Sequence, residues 1–93
     1  MKNMIYRSSV GDLDLSKITR LYPAVVVDLN GEVAEMSLEW AELYGEKVKL
    51  KSYILVFDFT PVHEEKKNRT ILEFKTKDEL MSAMQEVSQF FQN

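Results

Sequence analysis

The one histidine of the chain, His63, is followed by Glu64 and Glu65, and an imidazole beside hard carboxylates is a donor set suited to several divalent cations. Adjacent residues of an extended loop point in different directions, and no second histidine completes a tighter site, so a solvated charged loop is expected instead. Hydrolysis by a Ser/His/Asp arrangement would bring His63 to Ser8, Ser16, Ser37 or Ser52, with oxyanion donors nearby. No Gly-x-Ser-x-Gly elbow presents any of these serines. Gly11, Gly31 and Gly45 are isolated, so no glycine-rich phosphate loop exists either. Asp28 and Asp58 are acids set within apolar strands, where acid/base work would need a pKa raised by the surroundings. The commoner task of such acids is to face solvent or close a turn. The balance leans against an enzyme, and no metal or cofactor is expected; the alternative is a small metal-dependent or acid/base enzyme using His63 and nearby carboxylates.

Surface charge and aromatic residues offer a different chemistry. Residues 28–46 contain six acids, Asp28, Glu32, Glu35, Glu39, Glu42 and Glu46, and no base. Trp40 and Tyr44 lie inside that stretch and could form an exposed anchor, since aromatic residues dominate interface hot spots; otherwise Trp40 continues the buried face of Met36 and Leu38. Lys47, Lys49 and Lys51 follow at alternating positions, and Lys66, Lys67 and Arg69 crowd a later loop. Anionic headgroup binding would need both basic clusters together. On a strand spanning residues 47–60 they stand near opposite ends, roughly 40 Å apart at about 3.3 Å per residue. The lysine triplet is therefore expected to pair with the acidic stretch across the surface. The candidate interaction surface is Glu35, Glu39, Trp40, Glu42, Tyr44, Lys47, Lys49 and Lys51.

Composition bounds these options. Ninety-three residues, 45% hydrophobic and 29% charged, suit a single α+β domain over residues 1–93. A net charge of −3 argues against nucleic acid as a partner. Absence of cysteine excludes disulfides, thiolate metal sites and a cysteine nucleophile, and fits a reducing compartment. The longest apolar runs, residues 24–27 and 53–57, fall far short of the roughly 20 residues that span a bilayer. Residues 1–7 lack the apolar core of a secretory signal. A cytoplasmic protein without a transmembrane segment is expected.

The elements that must position these residues are legible from period and punctuation. Thr76-Lys77-Asp78-Glu79 has the capping-box form, and Leu80, Ala83, Met84, Val87 and Phe91 then recur at helical spacing, with Met81 and Phe90 widening the stripe, predicting a C-terminal amphipathic helix of about four turns. Residues 70–75 read as a short strand feeding it. Residues 47–60 alternate, with apolar residues on both faces from 53 to 57, which predicts a strand covered on both sides and ended by Pro61. Asn30-Gly31 after residues 24–29 predicts a two-residue hairpin that pairs Leu29 with Glu32, Val27 with Ala34 and Val25 with Met36. Residues 32–44 also carry a 3,4 period closed by Gly45, which would suit a helix. A strand through about Leu38, then a short extra helix around residues 39–44, reconciles the two. Residues 4–10 read as a strand, Gly11-Asp12 as a turn, and residues 15–22 as strand or as a short helix capped by Asp14.

Hairpin-connected strands followed by one C-terminal amphipathic helix resemble the pleckstrin-homology-like architecture of small bacterial domains, and the run Leu13-Asp14-Leu15-Ser16-Lys17-Ile18 is similar to the way such domains enter their second strand. No Trp stands in the final helix, where that family usually has one. The resemblance implies a mostly antiparallel curved sheet of about five strands with the helix packed on it, used for binding rather than catalysis. The function expected is a non-catalytic protein-interaction or regulatory module whose partner is another protein; anionic headgroup binding stands as a further alternative. Five Met and ten aromatic residues fill one core, so a homo-oligomer through an exposed strand edge is allowed without being required.

Overall fold

A computed structural model describes residues 3–92; the first two positions of the N-terminal stretch read against a signal sequence lie outside the described residues. An N-terminal hairpin pairs β1 (Ile5–Ser8) with β2 (Gly11–Asp14). Its turn sits at Ser9 and Val10, ahead of the expected Gly11-Asp12. The Ser8 hydroxyl fixes it there, accepting from the Val10 N–H at 3.2 Å and donating to the Gly11 carbonyl at 2.6 Å. Gly11 enters the strand at a φ of +124°, a state open to glycine. Asp14 then caps a single 3-10 turn, Leu15–Lys17, by accepting from the Ser16 N–H at 3.1 Å.

The main sheet is antiparallel and has the spatial order β4, β3, β5, β6, built from β3 (Arg20–Leu29), β4 (Glu32–Met36), β5 (Lys49–Asp58) and β6 (Arg69–Phe74). Asn30 and Gly31 take φ values of 54° and 92°, as the tight hairpin turn requires. Asp28 closes that turn by accepting from the Gly31 N–H at 2.7 Å. The register pairs Leu29 with Glu32, Val27 with Ala34 and Val25 with Met36, as the sequence spacing demands. Where about five strands in one sheet were expected, six strands among the described residues form two sheets of four and two.

β4 stops at Met36, short of Leu38, because Ser37 turns helix cap. Its side chain accepts from the Trp40 N–H at 3.1 Å and starts α1 (Leu38–Tyr44). The two periods that competed over residues 32–44 are thus used one after the other.

Helix α2 (Lys77–Ser88) closes the fold. Thr76 accepts from the Glu79 N–H at 3.1 Å, while the Glu79 carboxylate accepts from Lys75 at 3.2 Å, one residue ahead of the reciprocal bond of an ideal capping box. Leu80, Ala83 and Val87 are buried against Leu55, Phe57 and Leu72 of the sheet, with Leu13 and Leu15 of the N-terminal segment completing the core. The chain then tightens into a 3-10 turn, Gln89–Phe91. At three residues per turn, Phe90 follows Val87 onto the core and Phe91, expected on the buried stripe, is turned outward and 48% exposed. Among the described residues no helix is long and apolar enough to cross a membrane.

Leu80→Ala removes a fully buried side chain from this core and is expected to cost about 2–5 kcal/mol in urea unfolding. Phe91→Ala should stay within about 0.5 kcal/mol, and the opposite ranking would refute the helix phase.

Candidate functional site

Three surface arrangements carry the polar and aromatic residues that could do work. The first lies on the face of the main sheet turned away from α2. Ala24, Ile54 and Val56 form a second small core there, 3% or less exposed, although no helix covers them. Side chains from neighbouring strands supply the cover. Arg20 and Arg69 stand over the Tyr22 ring with guanidinium carbons 4.8 and 5.7 Å from its centroid, within cation–π range. Arg69 also donates a hydrogen bond to the Tyr22 hydroxyl and pairs with Glu35 at 3.5 Å. Strand alternation puts Arg20 and Tyr22 on one face, but Arg69 joins them only through the β5–β6 register, in which Asp58 stands opposite both Arg20 and Arg69. Period alone does not predict that meeting.

The second arrangement anchors the charged loop after β5. Asp58 accepts from the Thr60 N–H at 2.9 Å, and the Thr60 hydroxyl oxygen accepts from the Asn68 N–H at 2.8 Å. The Asp58 carbonyl receives both the N–H and the hydroxyl of Thr19, at 2.8 and 3.0 Å. The Thr60 hydroxyl and N–H hold the Asp58 carboxyl below the usual carboxylate range, against a smaller opposing effect of burial and with help from the Arg69 and Lys67 charges. Asp58 is therefore a structural anion that closes a turn, and Asp28 does the same at the hairpin. His63, Glu64 and Glu65 are exposed in this loop. Among the described residues no three His, Asp or Glu side chains gather as a metal-ligand set.

The third arrangement is α1. Seven residues long, it contains no buried residue. Leu38 packs toward the main core, whereas Leu43 is 73% and Tyr44 46% exposed. Trp40 is half-buried and its ring meets that of Tyr44 at 5.4 Å with a 46° tilt, the contact expected of residues one turn apart. Glu39, Glu42 and Glu46 are exposed around these apolar side chains, and Glu42 pairs with Lys77 of α2 at 3.3 Å. An open groove of about 370 Å³ runs beneath α1, lined by Leu38, Ala41, Leu50, Tyr53 and Lys77.

The residues grouped from the sequence as one interaction surface are thus divided. Glu39, Trp40, Glu42 and Tyr44 share α1, while Glu35 is engaged on the sheet face by Arg69. Lys47, Lys49 and Lys51 are exposed, Lys47 at the end of a 3-10 turn (Gly45–Lys47) and the other two at the start of β5, which begins two residues later than the spacing suggests. The two ion pairs found among the described residues, Arg69–Glu35 and Lys77–Glu42, use none of these three lysines, so the expected pairing of the triplet with the acidic stretch is not made. Lys49 comes nearest to it, standing opposite Asp28 in the register. Lys66, Lys67 and Arg69 lie at the far end of β5, so the two basic clusters do not meet. A small α+β protein with one exposed acidic and aromatic helix is what this fold and surface define. No protein-family model, curated protein or solved structure matches the chain.

Because the folded carboxyl of Asp58 titrates below its unfolded value, its contribution to stability is complete above the unfolded pKa and fades as pH falls through the folded one. Asp58→Asn should therefore lower urea stability near pH 7, and the gap to the unaltered protein should narrow below about pH 4. A gap that widens on acidification would overturn this assignment.

Proposed function

We propose that this protein is a non-catalytic interaction module that takes up a basic segment of another protein, one studded with apolar side chains, on the exposed face of α1. The observation that carries this reading is the display of Leu43 and Tyr44, beside a half-buried Trp40, on a helix with no buried residue, ringed by exposed glutamates. A helix of this length is marginal by itself in water; here the Ser37 cap and the packing of Leu38 hold it. Aromatic side chains presented on a fixed backbone lose little entropy on binding and rank among the commonest hot-spot residues. The acidic stretch over residues 28–46 favours a cationic partner and speeds its approach. The pleckstrin-homology-like layout suggested by the sequence belongs to the same proposal, since such domains serve mostly in binding.

Trp40 is the only tryptophan of the chain, so its emission reports directly on this surface. Titration with a lysine- and leucine-rich peptide should shift that emission to the blue and saturate. The response should weaken at least about tenfold in apparent affinity in a Glu39→Lys, Glu42→Lys variant, and fall as salt shortens the screening length below about 8 Å. An equal response to the matched glutamate-rich peptide, or none to either, would overturn the proposal.

A further inference from the structure

The outer edge of β6 has no partner strand. Among the described residues β5 is the one strand that pairs with it, and no backbone hydrogen bond from outside the ladders reaches residues 69–74. β6 has no proline, no glycine and no break in its register against β5, so neither a missing N–H nor a bulge blunts this edge. The other free edges of the sheet are guarded. Residues 20–24 of β3 run past the end of β4 and contain Pro23, which has no N–H to offer. β4 carries Glu32 and Glu35 within the acidic stretch, where like charges on two copies repel.

The charges on β6 have a symmetry that the other edges lack. Arg69 and Glu73 stand two residues to either side of Ile71, all three on the face away from α2, and Ile71 is 41% exposed. In an antiparallel pair of identical strands centred on Ile71, Arg69 of each copy faces Glu73 of the other, and the two Ile71 side chains cover each other. Facing residues of such a pair lie on the same side of the sheet, so both ion pairs form on the side where the guanidinium already lies. The Arg69 guanidinium is turned inward across the sheet, to Tyr22 of β3 and Glu35 of β4, so its pairing with the second copy's Glu73 requires it to swing outward from them.

We infer that this protein pairs with a second copy of itself through β6, in an antiparallel two-fold ladder centred on Ile71 that makes one eight-stranded sheet. The inference does not depend on what α1 binds. A single strand edge is a small contact beside those of stable dimers, so association is expected only toward the upper end of accessible protein concentrations.

Light scattering or sedimentation from about 1 to 500 μM should show the mass rising from 10.9 kDa toward twice that value. Ile71→Lys, at an exposed position, should hold the chain as a monomer throughout. The chain contains no cysteine, so single cysteines report the register. Opposed Cα atoms about 4.5–5.5 Å apart satisfy disulfide geometry, and Ile71→Cys should cross-link under mild oxidation at least about tenfold faster than Thr70→Cys or Glu73→Cys, whose counterparts lie off the axis. Glu39→Lys with Glu42→Lys should leave the mass unchanged. A constant monomer mass over the whole range, a dimer that survives Ile71→Lys, or cross-linking as fast at residue 70 as at 71 would each overturn the inference.

Discussion

Everything in this fold depends on keeping β5 dry on both faces when only one face receives a helix. Ile54, Leu55, Val56 and Phe57 are all 1% exposed or less, and consecutive strand residues point to opposite sides. Leu55 and Phe57 are covered by α2 and by the N-terminal segment through Leu13 and Leu15. Ile54 and Val56 have no such element above them. Tyr22 and Val26 pack against them, and the guanidinium groups of Arg20 and Arg69 stand over the Tyr22 ring in turn, so long polar side chains help to shield the sheet while keeping their charges wet. The same constraint explains why β3 and β5 pair over almost their whole length, since the central pair must supply both cores.

Local chemistry was readable from the sequence wherever a few neighbouring residues decide the outcome. Asn30-Gly31 fixed a hairpin register that put every predicted pair in place, and Thr76 capped α2 as expected. Competing local signals were harder. Ser37 is a weak signal inside a long double period, and only its hydrogen bond to Trp40 shows that strand yields to helix there. Gly11 marked a turn by composition, yet its positive φ is spent inside β2 because the Ser8 hydroxyl closes the turn earlier. Phe90 kept its place on the apolar stripe while Phe91 left it when the last turn tightened, a change of pitch that a fixed 3.6-residue period does not contain. The meeting of Arg69, Tyr22 and Glu35 was beyond reach, because it needs the spatial order of four strands.

The candidate surface shows the same division between local and tertiary control. Trp40 and Tyr44 are neighbours on α1 by helical spacing alone. Whether they face the core or water is settled by how the strand before them ends. Starting the helix at Leu38 points Leu38 toward the core and sends Leu43 and Tyr44 outward. Lys77 of α2 reaches across to Glu42, so the last helix steadies the position of the first without burying it. Rigid support beneath a partly exposed aromatic pair is what separates a recognition surface from a frayed helix end.

The two ends of the described chain are stitched together. Tyr6 of β1 lies 6.1 Å from Phe90, ring centroid to ring centroid, in an edge-on contact, and its hydroxyl donates to Glu86 at 3.3 Å. Burial and the Glu86 carboxylate together raise the Tyr6 pKa. The same Tyr6 ring stacks on Phe57 of β5, centroid to centroid 6.1 Å, so the N-terminal hairpin is held at once by the last helix and by the central strand of the main sheet. The hairpin thus acts as a clasp that joins the last helix to the middle of the four-stranded ladder, and loosening it would uncover both.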